Sequence, residues 1–93
     1  MIDYSTIDVV ISSWATKHRL TVYTQYHDQE VRSVDVVNSK GRKFQIWVDP
    51  PSGDSVAVHA WDYKKQRRDW KGVASHLAQF LEEAWQTVTT WMN

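Results

Sequence analysis

The stretch that decides the fold is Lys43-Phe44-Gln45-Ile46-Trp47-Val48-Asp49-Pro50-Pro51-Ser52-Gly53-Asp54-Ser55-Val56-Ala57-Val58-His59-Ala60-Trp61. Apolar residues fall on every second position at both ends of it: Phe44, Ile46 and Val48, then Val56, Val58 and Ala60. A period of two puts each set on one face of a β-strand. Between them, Pro50-Pro51 cannot donate to a strand ladder, so Asp49–Asp54 is a loop. Two strands joined by so short a connection are antiparallel neighbours, because a parallel pair needs a crossover of a dozen or more residues.

The same pattern extends upstream. Asn38-Ser39-Lys40-Gly41 carries turn chemistry, with a glycine able to take positive φ, and Val31–Val37 before it points Val34 and Val36 inward. Asp28-Gln29-Glu30 reads as another turn, preceded by a strand over Leu20–His27 with Leu20, Val22, Thr24 and Tyr26 on the inner side. Val31–Val37 either stands alone or merges with that strand, so three or four strands are expected. Further upstream the period changes: Ile7, Val10, Ile11, Trp14 and Ala15 form the stripe of an amphipathic helix over Ser5–Lys17. Ser5 and Asp8 have the spacing of a capping box.

Downstream, Asp62-Tyr63-Lys64-Lys65-Gln66-Arg67-Arg68 reads as a basic connector. Asp69 is placed to cap a final helix over Trp70–Met92, with Gly72 in its first turn. The apolar stripe of that helix is Val73, Leu77, Phe80, Leu81, Ala84, Val88 and Trp91. The expected architecture is a single α+β domain over 1–93. It is a two-layer sandwich in α-β-β-β-β-α order, with an antiparallel meander sheet and both helices on its even-numbered face.

Composition agrees with a globular domain: 42 % of residues are apolar and 24 % charged. There are no cysteines, which excludes disulfides and thiolate metal sites and suits a cytoplasmic location. The start, Met1-Ile2-Asp3-Tyr4-Ser5, lacks the basic and apolar character of a signal peptide. No apolar run is longer than Val9-Val10-Ile11, so no membrane partner is expected. Six tryptophans stand out, and in a chain this small most belong to the core.

Basic and acidic residues balance at 11 each, so any charge effect comes from distribution. In the expected meander, one end of the sheet collects Lys17 and Arg19 before the first strand, and Lys40, Arg42 and Lys43 at a turn. The connector and the start of the last helix add Lys64, Lys65, Arg67, Arg68 and Lys71, leaving only Arg32 elsewhere. The opposite end collects Asp3, Asp8, Asp28, Glu30, Asp49 and Asp54. A neutral chain so arranged is dipolar, and a clustered basic surface steers anionic partners. The N-terminus of the last helix would reinforce it.

On the odd-numbered face, Tyr23, Trp47, His59 and Trp61 form a candidate patch, since exposed aromatics anchor interfaces. One row would hold Tyr23, Asp35, Gln45 and His59, whose His, Asp and Tyr could in principle support acid–base chemistry of a small hydrolase or nuclease. No nucleophile or oxyanion hole accompanies them, so no catalytic residue is assigned. The four histidines lack ligand spacing, and the phosphate-binding and dinucleotide-binding glycine motifs are absent, so no metal or cofactor is expected.

The element order resembles that of double-stranded-RNA-binding domains, where basic residues at the start of the last helix grip phosphates. Lys64, Lys65, Arg67, Arg68 and Lys71 occupy a comparable place, without that family's glycine-serine-lysine-lysine lead and with one strand more. The order also resembles a frataxin-like sandwich, but only Asp3 and Asp8 stand for that family's acidic first helix and edge strand. The leading expectation is a non-enzymatic binding or regulatory domain that holds an acidic protein partner through the basic end, together with the aromatic sheet face. A nucleic-acid-binding module using Lys64–Lys71 is the alternative, weakened by zero net charge. Self-association, basic end to acidic end, is a further expectation.

Overall fold

The computed structural model describes residues 2–92; Met1 and Asn93, the ends of the expected domain, lie outside the described residues. Helix α1 spans Tyr4–Lys17. Five strands follow in order, β1 (Tyr23–Tyr26), β2 (Gln29–Val37), β3 (Lys43–Val48), β4 (Ser55–Trp61) and β5 (Arg67–Val73), before helix α2 (Leu77–Trp91). The sheet is an antiparallel meander, each strand pairing with the next. The α+β class, the meander and the two-layer arrangement are those expected.

The N-cap of α1 is Asp3, not Ser5. The Asp3 carboxylate accepts from the Thr6 amide at 3.2 Å, and the Thr6 hydroxyl accepts from the Asp3 amide at 3.3 Å. Asp8 is thereby released for a different bond, described below. At the other end, Arg19 takes a left-handed φ of 59°. The Leu20 amide donates to the Ala15 carbonyl at 2.8 Å and the Arg19 amide to Thr16 at 3.1 Å, which closes the helix by the motif usually completed by glycine.

β1 and β2 are separate, turned by His27-Asp28 with His27 at φ 54°. A bulge between Tyr23 and Gln25 shifts the register, so Tyr23 pairs with Ser33 but Tyr26 with Gln29. That one-residue shift exchanges faces. Tyr26, expected inward, is therefore an outward residue and 65 % exposed. The turn before β3 forms as expected: Gly41 has φ 80°, and the Asn38 side chain accepts from the Lys40 and Arg42 amides, each at 2.9 Å.

The main departure is β5, which brings the strands to five where three or four were expected. Asp69 is no helix cap, and Gly72 lies in a strand rather than a helical turn. All seven β5 residues pair with β4, from Ser55↔Val73 to Trp61↔Arg67, without a shift. Their backbone groups satisfy the open side of β4, a demand that local propensity does not register. Of the positions facing inward, only Trp70 is a buried apolar residue, at 8 % exposed; Arg68 lies over its ring at 5.0 Å. The period-two signal is therefore nearly absent from the sequence.

The fifth strand also reverses the last helix. β5 runs away from the basic end, and the Ala74 amide reaches the Asp54 carbonyl at 2.8 Å before α2 begins. The positive pole of α2 thus lies at the far end, and its C-terminal turn returns towards the connector. The expected contribution of that helix N-terminus to the basic end is absent.

Between helices and sheet, Ile7, Ile11, Leu77, Leu81, Ala84 and Val88 pack on Val34, Phe44, Ile46, Val56 and Val58. Apart from Ala84, each such fully buried side chain contributes about 1.5–3 kcal/mol. Both helices cover the even-numbered face. Arg32 is also on that face and is 7 % exposed. Its guanidinium meets both Asp8 oxygens, at 2.6 and 3.1 Å, donates to the Val31 carbonyl at 2.8 Å, and lies 4.3 Å from the Tyr4 ring centroid. This pair fastens α1 to β2. Among the described residues no helix is long and apolar enough to cross a membrane.

Candidate partner-binding surface

With both helices on one side, the odd-numbered face of the sheet has no layer over it among the described residues. Register decides what meets there. One row runs Tyr23, Ser33, Trp47, His59, Asp69, and the next runs Asp35, Gln45, Trp61, Arg67. The sequence reading placed Asp35 and Gln45 in the row of Tyr23 and His59. β3 and β4 pair two residues further along, which joins them to Trp61 instead. Tyr23 and His59 do share a row, but three strand spacings, about 14 Å, separate them.

The face is laced by side-chain bonds. Trp47 stacks on His59 with centroids 4.7 Å apart, and the Arg67 guanidinium lies 5.3 Å from the Trp47 centroid. His59 Nε2 is 2.7 Å from Asp49 and Nδ1 is bonded to Asp69, which Arg67 also contacts at 3.0 Å. The hydrogen bond to His59, then that to Arg67, holds the Asp69 carboxyl below its ordinary value against a partial burial that pushes it up. With a carboxylate on each ring nitrogen, His59 has no free nitrogen for base catalysis. The two nitrogens point apart, so the carboxylates cannot converge with the ring on one metal ion. Asp35 accepts from the Tyr63 hydroxyl at 2.9 Å. The expected acid–base constellation of His59, Asp35 and Tyr23 is therefore not brought together.

Tyr63, a residue of the basic connector in the sequence, belongs to this surface. Its backbone takes a left-handed φ of 65°, an uncommon conformation for a bulky residue. This turns its ring back against Trp61, with centroids 4.6 Å apart. Burial, and after it the bond to Asp35, pushes the Tyr63 hydroxyl up to about 12. The signal was available: the odd phase of β4 runs from His59 through Trp61 to Tyr63. Tyr26 was missed for another reason, since the bulge that turns it outward leaves no mark in the sequence. Tyr26, Tyr63, Trp47 and Trp61 together bound a cleft of about 300 Å³, with Val31, Ser33 and Gln45 completing it.

The basic residues divide. Lys17 pairs with Glu82 at 3.2 Å, and Arg42 pairs with Asp62 at 3.0 Å. Asp62 is 4 % exposed and also accepts from the Lys64 and Gln66 amides, at 2.8 and 3.0 Å, so it shapes the connector. Lys71 pairs across from Ala57. That is four residues along β5 from Arg67, or about 13 Å from the basic end. Lys40 and Lys43 at the β2–β3 turn, Lys64 and Lys65 at the β4–β5 connection, and Arg67 and Arg68 at the start of β5 remain grouped at one end by topology. Arg19 closes α1.

Compared with known proteins, the chain matches no protein-family model, no curated protein and no solved structure.

Proposed function

We propose that this protein is a non-enzymatic binding domain that holds an acidic protein partner on its uncovered sheet face. The observation that carries the reading is the cleft bounded by Tyr26, Trp47, Trp61 and Tyr63 on a face no helix covers. Large aromatic side chains supply most of the energy at protein interfaces, and their rims are polar. Here the rim on one side is cationic, with exposed Lys43 two residues before Gln45 on β3 and exposed Lys64 directly after Tyr63. Such a rim steers an acidic partner, whereas the cleft supplies the apolar contact.

The test compares the protein with a Trp61→Ser/Tyr63→Ser variant and with a Lys43→Glu/Lys64→Glu variant, in chemical crosslinking from extract followed by affinity measurement with the purified partner. The aromatic variant should lose about 100-fold or more in affinity. The charge-reversed variant should bind more slowly and lose its salt dependence. A partner that retains full affinity for the aromatic variant refutes the reading.

A second reading is single-stranded nucleic-acid binding, favoured by the rings of Trp47, Trp61 and Tyr63 on one open face, with Arg67 over Trp47. Bases stack on such platforms with little sequence preference. The basic connector no longer leads into a helix, so the double-stranded-RNA-binding arrangement has no counterpart here. Titration with single- and double-stranded RNA and DNA at about 50 and 200 mM salt separates the readings. Steep salt-sensitive binding of single strands would put this one first.

A further inference from the structure

The two edges of the sheet differ. β1 is four residues long and bulged, the form in which natural edges are blunted against further pairing. β5 is seven residues long, pairs with β4 without a break and contains no proline. Its outer backbone groups form a regular row, with no strand beside it among the described residues.

A trench lies beside the first part of this edge, at Arg67 and Arg68. On α2, the side bearing Glu82 and Trp85 faces α1 through His18. The opposite side faces β5: the Phe80 ring lies where a Cβ on Gly72 would come within 2.9 Å. Two turns further on, Thr87 and Thr90 face Arg68 across a cavity of about 530 Å³ that Lys65 and Trp91 also line. The Thr87 hydroxyl donates to the Glu83 carbonyl at 2.8 Å and that of Thr90 to Gln86 at 2.9 Å. Both hydroxyls are thus occupied by the helix, which leaves their methyl groups for contact.

We infer that the β5 edge and the trench beside α2 are a strand-addition site for an extended, acidic segment of a partner protein. Main-chain bonds to β5 would supply affinity, and alternate side chains would enter the trench towards Thr87, Thr90 and Trp91. Charge selects the occupant. β5 carries Arg67, Arg68 and Lys71 against a single carboxylate, Asp69, which is already bonded to His59 and Arg67. Lys65 adds a cation at its start. A second copy of β5 would bring a net positive strand against its like, whereas carboxylates of an added strand meet Arg68 in the phase that faces the trench and Arg67 and Lys71 in the other. The site is separate from the outer-face cleft and does not depend on it.

The test uses the whole chain and an array of extended peptides of about eight residues, long enough to cover β5, with glutamate at alternate positions and varied residues between. Some members should bind, and Arg68→Glu/Thr87→Arg should weaken them about tenfold or more. Trp61→Ser/Tyr63→Ser, which disrupts the other surface, should leave them unchanged. N-methylation of alternate peptide amides should abolish binding in one phase and spare it in the other, because only alternate amides of an added strand face its neighbour. Equal loss in both phases, or binding that depends on peptide charge alone, overturns the proposal. So does no binding by any member up to about 1 mM. Sedimentation showing a dimer that Arg68→Glu dissociates overturns it in favour of pairing between copies.

Discussion

The Arg32–Asp8 pair should show a coupling that surface ion pairs do not, and an asymmetry between its partners. The Arg32 side chain is 8 % exposed and that of Asp8 40 %. Asp8→Asn strands most of the charge of a guanidinium that water barely reaches. Loss of a partner from a buried ion pair costs about 3–5 kcal/mol. Glu30, 3.3 Å away, retains part of the pairing, so about 2–3 kcal/mol is expected here. Arg32→Leu instead leaves a half-exposed carboxylate that water can rehydrate, and places an apolar side chain on the inner face. Its cost should be about 1 kcal/mol or less. The double variant should resemble Arg32→Leu alone, giving a coupling of about 2 kcal/mol against the 0.2–1 of exposed pairs. Urea denaturation followed by tryptophan fluorescence measures all corners of the cycle. Repetition at about 1 M salt should leave the coupling nearly unchanged, since buried pairs are poorly screened. A coupling below about 0.5 kcal/mol, or equal costs for the two single variants, would refute the claim that burial on the arginine side controls this contact.

Three further outcomes are expected. Arg19→Gly should stabilise the fold by about 0.5–1 kcal/mol, because relief of the left-handed backbone exceeds the added freedom of the unfolded chain; a lower thermal midpoint would contradict this. Gly72→Ala should cost about 1 kcal/mol in the native background and become stabilising with Phe80→Leu, since the Phe80 ring is what its Cβ would meet. Stability should also fall in acid. The Asp69 carboxyl lies below its ordinary value in the folded protein, so its contribution is present above the unfolded value and is lost as pH falls through the folded one. A thermal midpoint followed from pH 6 to about 3 should fall less steeply for Asp69→Asn, and an identical slope would exclude the His59–Asp69 bond as a contributor.

Local pattern specifies the elements whose side chains alternate or recur at helical spacing and whose turns carry their own chemistry. α1, β2, β3 and β4 were legible because Ile7–Ala15, Val34–Val36, Phe44–Val48 and Val56–Ala60 each bury a regular set. Gly41 and the Pro50-Pro51 loop marked where the chain turns. Trp47, His59 and Trp61 could be placed together on the open face because strand parity is local information. Register was not legible. Parity says which face a residue occupies, but only pairing between strands joined Asp35 and Gln45 to Trp61 and separated Tyr23 from His59.

Tertiary structure alone decided β5 and what depends on it. Arg67-Arg68-Asp69-Trp70-Lys71-Gly72-Val73 offers one buried apolar side chain, and Val73 also fits the helical stripe of Leu77 and Leu81. Its strand conformation comes from backbone groups of β4 that need partners. That non-local demand turned α2 end for end, moved Lys71 along the sheet, and created the edge and trench beside it. Arg32 is the same lesson in a side chain. The one cation that the sequence sets apart from the basic end is a buried fastener, because Asp8 on another element was within reach once the helix had docked.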